Sequence, residues 1–206
     1  CIRDSYMHEY GLTRDELSLV SAIHHRHAVA NPFAQFRKEM SIDQISNSTP
    51  VADPLRLLDC SPISDGAAAC ILSTKYDSPV RLAASQVSND TLSVADRPSI
   101  TSFSATRDAT EQAMQEAGIE REDIAHIELH DCFSIAAILH LEDMGFAEPG
   151  AGVHLYDTND DSLTLNKSGG LKGCGHPVAA TGIKQIGDIA KQLEASGSRW
   201  GLAQNL

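Results

Sequence analysis

Leu165-Asn-Lys-Ser-Gly-Gly-Leu-Lys-Gly-Cys-Gly-His-Pro-Val-Ala-Ala-Thr-Gly182 places a single histidine, His176, between a glycine-rich turn and an apolar run rich in small residues. Glycine lets backbone come close to a ligand or to another segment. Proline is favoured at the first helical position, so the spacing predicts a helix from Pro177 with His176 at its N-cap. The positive end of the helix dipole disfavours imidazolium, which leaves a neutral ring able to act as base or donor. Glu128-Leu-His-Asp-Cys-Phe-Ser134 repeats the arrangement, with His130 and Cys132 where a strand meets a helix. Two histidines and a thiol at such junctions point to an acyl-transfer site.

Working outward, Thr13 and Glu16 form a capping-box pattern, and a helix is expected over 13–29 with Leu17, Val20 and Ile23 on one face. A short helix is expected over 41–48, and Cys60 to Gly66 is turn-rich. Ala67 to Ser73 reads as a buried strand, Asp77-Ser-Pro79 as a linker, and Val80 to Val87 as a second strand. An amphipathic helix over 106–117 ends at Gly118. In the strand 125–129, Ile127 and Leu129 face one way, and His126 and Glu128 the other. A helix follows over 133–144, then an irregular run from Gly150 to Leu165. A helix over 178–193 has small residues that suggest close packing on several sides, and 198–206 starts another strand. From residue 80 the order is strand, helix, strand, helix, helix, strand: an α/β pattern with helices covering a mixed sheet.

The 206 residues suffice for one large domain or pieces of two, and 42% hydrophobic content can fill a core. A net charge of −12 argues against nucleic acid or an anionic membrane as the main partner. A phosphate-bearing ligand stays open, because Arg26, Arg37, Lys38, Arg56, Lys167 and Lys172 could build a local patch. The five cysteines, at 1, 60, 70, 132 and 174, form no dense framework, so reduced thiols in a cytoplasmic setting are expected. No signal peptide, membrane span or peroxisomal address is visible in the sequence. Cys1 at the start and Leu202-Ala-Gln-Asn-Leu206 at the close lead us to expect a piece of a longer protein.

Four stretches carry a resemblance to a known family: Asn31-Pro-Phe-Ala-Gln-Phe36; Ala52-Asp-Pro-Leu-Arg-Leu-Leu-Asp-Cys-Ser-Pro-Ile-Ser-Asp-Gly-Ala-Ala-Ala69; His130-Asp-Cys-Phe133; and Ser168 to Val178 with Ala180-Thr-Gly182. In this order they resemble the thiolases, most closely the sterol-carrier-protein-type and archaeal-type members. The resemblance implies a layered αβαβα fold of two similar halves. Residues 1–40 would be the tail of the loop domain over the coenzyme A site, 41–78 the end of the first half, and 79–206 most of the second. It implies that His176 helps deprotonate a nucleophilic cysteine and donates to the thioester oxygen, that His130 is an oxyanion donor, and that Cys132 moves the alpha proton. One such donor typically contributes ~3 to 4 kcal/mol in the transition state. The nucleophile would lie upstream of Cys1 and a glycine-rich turn beyond Leu206, so the 206 residues alone are expected to be inactive.

Each assignment has a plainer counterpart. His176 could be a simple cap, and Cys132 a buried thiol beside a surface histidine. Asp131 is expected to cap the helix at Phe133. Ser61 matches the family's serine beside the coenzyme, or is a polar turn residue. Phe33 and Phe36 could wall an acyl or pantetheine channel, or be core. Gly175 is assigned with Ser61 and Phe33 to the coenzyme site. Cys60 and Cys70 read as small core residues, and Cys174 as pocket lining. His24, His25 and His27 read as a solvated helix face or packing over the ligand, a metal site lacking a third ligand. Zinc on His130, Cys132 and His176 has no supporting spacing. No metal or redox cofactor is implied, a coenzyme A thioester being the substrate. Val153 to Leu165 and Ala179 depart from the family pattern.

The alternatives are a thiolase-like retro-aldolase lacking the nucleophile, a non-catalytic acyl-CoA-binding subunit, and a ketoacyl synthase relative. The last is disfavoured by Cys132. The resemblance also implies a homodimer or homotetramer, and a small zinc-ribbon/OB-type protein is a possible partner.

Overall fold

The computed structural model describes residues 1–158 and 162–206. Helices α1 (Ile2–Tyr10), α2 (Arg14–Ala28) and α3 (Ile42–Ser46) precede a small antiparallel pair, β1 (Pro50–Ala52) and β2 (Leu55–Arg56). After an extended stretch come α4 (Ser104–Ala117), β3 (Ile124–Glu128), α5 (Ser134–Asp143), β4 (Thr164–Leu165), α6 (Gly170–Cys174), α7 (Thr181–Ser196) and β5 (Trp200–Ala203). The main sheet is parallel, in the order β4-β3-β5, with Ile127 opposite Leu165 on one side and Leu202 on the other.

Helices cover this sheet on both faces, as parallel sheets require. Ile127 and Leu129 join the core cluster with Ile138, Leu139 and Leu141 of α5. The opposite face takes α7, where Ile189 packs so closely on Gly201 that an added Cβ would lie 2.7 Å from Ile189 Cγ2. Glu128, on that face, is also buried. Its carboxylate accepts from Ser168 N (2.8 Å), Ser168 Oγ (2.6 Å) and Gln192 Nε2 (2.7 Å). Asn166 extends β4 with its side chain: Oδ1 accepts from Leu129 N (2.7 Å) and Nδ2 donates to Leu129 O (3.2 Å).

Helix α2 begins as the capping box predicts, with Thr13 N donating to Glu16 Oε2 at 2.7 Å and Glu16 N to Thr13 Oγ1 at 3.3 Å. It is a central helix with no solvated histidine face. It packs on α3, α5 and α6, and His24 and His25 are buried along it. The three-histidine run holds no recurring polar signal, which hid its burial. Ala28 meets α6 where the chain has Gly169 and Gly173, and an added Cβ at 173 would stand 2.3 Å from Ala28 Cβ.

Other expectations are corrected. Helix α7 starts at Thr181, not Pro177: the Pro177 carbonyl accepts from both Ala180 N and Thr181 N, closing a separate turn first. The helix is packed from one side, and Gly187 has nothing within 4 Å of an added Cβ. Residues 67–73 and 80–87 form no strand. Ile71 is 94% and Val87 82% exposed, because among the described residues no strand edge reaches them. Cys70 is exposed rather than core. Of the irregular run 150–165, Gly152–Tyr156 forms a 3-10 helix and 159–161 lie outside the described residues. No helix is long and apolar enough to cross a membrane among the described residues.

Candidate active site

The four motif stretches, distant in sequence, meet around the loop 174–177. Asn31 Nδ2 donates to Ser168 O at 2.8 Å and to Cys174 Sγ at 3.3 Å, and Phe36 N donates to Gly173 O at 2.9 Å. Ser64 Oγ, from the turn-rich stretch, donates to Gln35 Oε1 at 2.5 Å and accepts from His176 N at 3.3 Å. Gly175 lies between them at φ 94°, where a Cβ would fall 2.2 Å from Ser64 Oγ, so only glycine fits. Ser61 N donates to Cys132 O at 2.8 Å, bringing the third stretch in.

His130 and His176 stand edge to face, ring centroids 4.8 Å apart at 88°. His176 Nδ1 is 2.8 Å from Thr181 Oγ1, whose hydroxyl donates to Pro177 O at 3.1 Å. That hydroxyl proton being spent, Thr181 accepts Nδ1–H, and His176 Nε2 keeps a lone pair. At His130 Nδ1, Leu206 N donates at 3.3 Å and Asn205 Oδ1 lies at 2.9 Å. We assign His130 the tautomer with its lone pair on Nδ1, facing the Leu206 N–H, with the Asn205 amide turned so that its NH2 group lies on that side; Nε2–H is then a donor. Side by side, the two rings offer one acceptor and one donor.

The dipole explanation for a neutral His176 falls with the later helix start. Partial burial, then the neighbouring His130, hold its pKa below the ordinary value. A third ring, His140, lies 6.3 Å from His130, wholly buried, and burial pulls its pKa down to about 3. Cys132 is half-buried, and burial raises its thiol pKa.

Asp131 does not cap α5, whose N-cap Phe133 makes no side-chain bond. It is fully buried, accepting from His24 Nδ1 (2.7 Å) and from Leu171 N (2.7 Å) at the start of α6. Burial works against its ionisation, but His24, Lys172 and the backbone donor prevail and lower its pKa. Lys172 is 1% exposed and so leaves the expected phosphate patch, whereas Arg26 and Lys167 stay exposed. Phe33 is not core: it is 82% exposed and rims an open cleft of about 310 Å³ with Lys167, Asp188 and Lys191. Phe36 is exposed as well, its ring 6.4 Å from that of His25. No group of three His, Cys, Asp or Glu is placed to hold a metal ion among the described residues.

Sequence reading gave no role to Thr181, Asn205 or His140. Thr181 and Asn205 act through contacts five and 75 residues away, and His140 sits in an otherwise apolar helix that reads as core.

Residues 86–202, more than half of the chain, match the family model described as thiolase C-terminal domain-like. The chain belongs to that family. An acetyl-CoA acetyltransferase of Methanothermobacter thermautotrophicus is 44% identical over 98% of this chain and 57% of its own length. Sterol carrier protein 2 of Oryctolagus cuniculus is 34% identical over 94% of the chain and 38% of its own. A solved structure titled an Ltp2–ChsH2 aldolase superposes with a TM-score of 0.77 at 23% identity, over 92% of this chain and 53% of that one. The thiolase-like α/β fold is thereby established. The chain spans about half the length of the acetyltransferase it matches.

Proposed function

We propose that the protein is a thiolase-type acyltransferase, making or cleaving a carbon–carbon bond beta to a coenzyme A thioester through an acyl-cysteine. The observation that carries this is the edge-to-face His130–His176 pair, ring centroids 4.8 Å apart, to which the tautomers assigned above give opposite hydrogen-bonding roles. In the cleavage direction, His176 Nε2 takes the proton of a cysteine supplied by the part of the protein these 206 residues do not span. The resulting thiolate attacks the 3-keto carbonyl. As the bond between C2 and C3 breaks, the Cys132 thiol gives its proton to the carbon left on the coenzyme A side. The oxygen of that enolate lies against His130 Nε2–H and the newly protonated His176. Coenzyme A then displaces the acyl group from the cysteine, its thiol proton going to the Cys132 thiolate while His176 returns its proton to the departing cysteine. Ser61, beside Cys132, and Gly175, beside His176, flank the thioester in this reading, with Phe33 on the outer rim.

The relative 44% identical, named an acetyl-CoA acetyltransferase, supports this reading. The retro-aldolase alternative draws on fold likeness alone, at 23% identity. That neighbour's title pairs two components, the support at hand for proposing a small companion protein beside a second copy of the chain. A cytoplasmic setting accords with five cysteines free of disulfides.

The test is thiolysis of acetoacetyl-CoA by the full protein, with mass spectrometry of the quenched enzyme. An acetyl adduct on a cysteine, and rates at least ~100-fold lower for Cys132→Ser and His176→Ala, are expected. Unimpaired turnover by Cys132→Ser sinks the reading. Acetoacetyl-CoA left intact while a 3-hydroxyacyl-CoA is cleaved without any acyl adduct favours the retro-aldolase. Thiolysis by the 206 residues alone removes the need for an outside nucleophile.

A further inference from the structure

Lys172 occupies a place where lysine is costly. An ammonium taken out of water must be hydrogen-bonded or paired, and this one is 1% exposed. Its Nζ donates to the Asp59 carbonyl and lies 3.5 Å from the Cys132 carbonyl. Its backbone N–H points at Asp131 Oδ2, 3.4 Å away. The ammonium fills the seam between the stretch that carries Ser61 and the strand end that carries Cys132, where Ser61 N also reaches the Cys132 carbonyl.

The nearby carboxylates are engaged elsewhere. Both oxygens of Asp59 accept from Arg14 Nη1 at 2.7 Å, and Arg3 lies 3.8 Å away. Asp131 is held by His24. The positive charge of Lys172 therefore faces carbonyl oxygens and, behind them, the thiols of Cys60 and Cys132.

We propose that Lys172 is a positioning residue for the proton-transfer step: its buried charge biases Cys132 toward the thiolate, and its two hydrogen bonds hold Cys132 against the Asp59 loop. This rests on the reading of Cys132 as the acid/base. The groups packed around the thiol pull in both directions, and Lys172 is the one that opposes burial most. Burial drives the Cys132 thiol up, Lys172 is the largest influence drawing it back down, and Asp131 and Cys60 push it up. Burial draws the ammonium down to about 8, while Asp131, Cys60, Cys132 and Asp59 hold it up. From α2, His25 is kept neutral by burial first, then by His24 and Lys172. Lys172 is thus charged at neutral pH, where its charge acts on the thiol.

The test measures alkylation of Cys132 by iodoacetamide between about pH 6 and 11 in the full protein, with peptide mass mapping to separate the cysteines. Lys172→Met removes the charge and both bonds, and Lys172→Gln removes the charge but keeps a donor. Each variant is expected to raise the Cys132 midpoint by about one pH unit or more, slowing alkylation near neutrality about tenfold, with Cys1 and Cys70 unmoved. A wild-type midpoint in either folded variant overturns the proposal. Where circular dichroism finds the Met variant unfolded, the Gln variant decides. Full thiolysis by Cys132→Ser removes the step Lys172 is said to serve, whatever the alkylation curves give.

Discussion

Replacing Gly173 by alanine places a methyl 2.3 Å from Ala28 Cβ. Non-bonded carbons settle at about 3.5–4.0 Å, so α2 and α6 must separate by roughly 1 Å or one must bend. Neither is free to move. Helix α2 is tied to Asp131 through His24 and to Ser134 through Ser21 at 2.8 Å, and α6 is tied to Asp131 through Leu171 N. Overpacking of a tight contact costs ~1–3 kcal/mol. The upper end applies here, offset by ~1 kcal/mol from the better helix propensity of alanine, for a net loss of ~2 kcal/mol. Ala28→Gly costs ~2 kcal/mol by itself, ~1 from helix propensity and ~0.8 from the lost methyl. It also removes the obstacle, so the double variant is expected to be no less stable than Ala28→Gly, a coupling of ~2 kcal/mol in a double-mutant cycle. Urea titration of the full protein reads all four corners. A Gly173→Ala variant within ~0.5 kcal/mol of wild type, or strictly additive losses, would refute the close-approach argument.

Acid should weaken the fold through its buried histidines. Burial, ahead of neighbouring charges, lowers His25 to about 4 and His140 to about 3 from an ordinary 6.5. The unfolded chain binds more protons between those values and 6.5, so stability is complete above 6.5 and falls as pH drops through the window. At pH 5 each ring costs ~2 kcal/mol, and His140→Gln should lose its share of the urea-midpoint slope between pH 7 and 5; an unchanged slope contradicts this. Asn166→Ala strands a buried N–H and C=O of Leu129 and should cost ~2–3 kcal/mol by the same titration; a loss below ~0.5 kcal/mol would mean water or a shifted strand takes over. Thr181→Val keeps the shape but removes the acceptor of His176 Nδ1–H. Its kcat/KM for thiolysis should fall about tenfold, beyond the loss of ~1 kcal/mol of stability from the Thr181–Pro177 bond, and an unchanged rate would show that Thr181 does not orient the ring.

Much of this was legible in the residues. The capping box at Thr13, the Gly118 stop and the alternation in β3 are local signals, and the structure follows them. The close approach at Gly175 was readable because it leaves a glycine trace. Local signals failed where long-range contacts decide. Ala67–Ser73 and Val80–Val87 have strand composition, yet a strand also needs an edge to pair with, which residue type cannot announce. Lys172 and His24 look solvated because charged residues usually are, and their burial depends on Asp59 and Asp131 far along the chain. The turn at Pro177 misled in the opposite sense, since proline opens turns as readily as helices.

The convergence of Gln35, Ser64, Cys132, His176 and Asn205 has a consequence for how the protein comes apart. Most of the bonds that seat the two rings close long loops: 75 residues from His130 to Asn205, 112 from His176 to Ser64. Closing such loops is entropically unfavourable and slow, and contacts of this sequence separation tend to form late. The histidine pair should therefore assemble after the helices that frame it, and it should be lost in any opening that frees one contributing segment. Hydrogen exchange at the amides of His176 and Leu206 would then report an opening well below global unfolding, while α5, whose residues 134–141 are all buried, would exchange only by global unfolding.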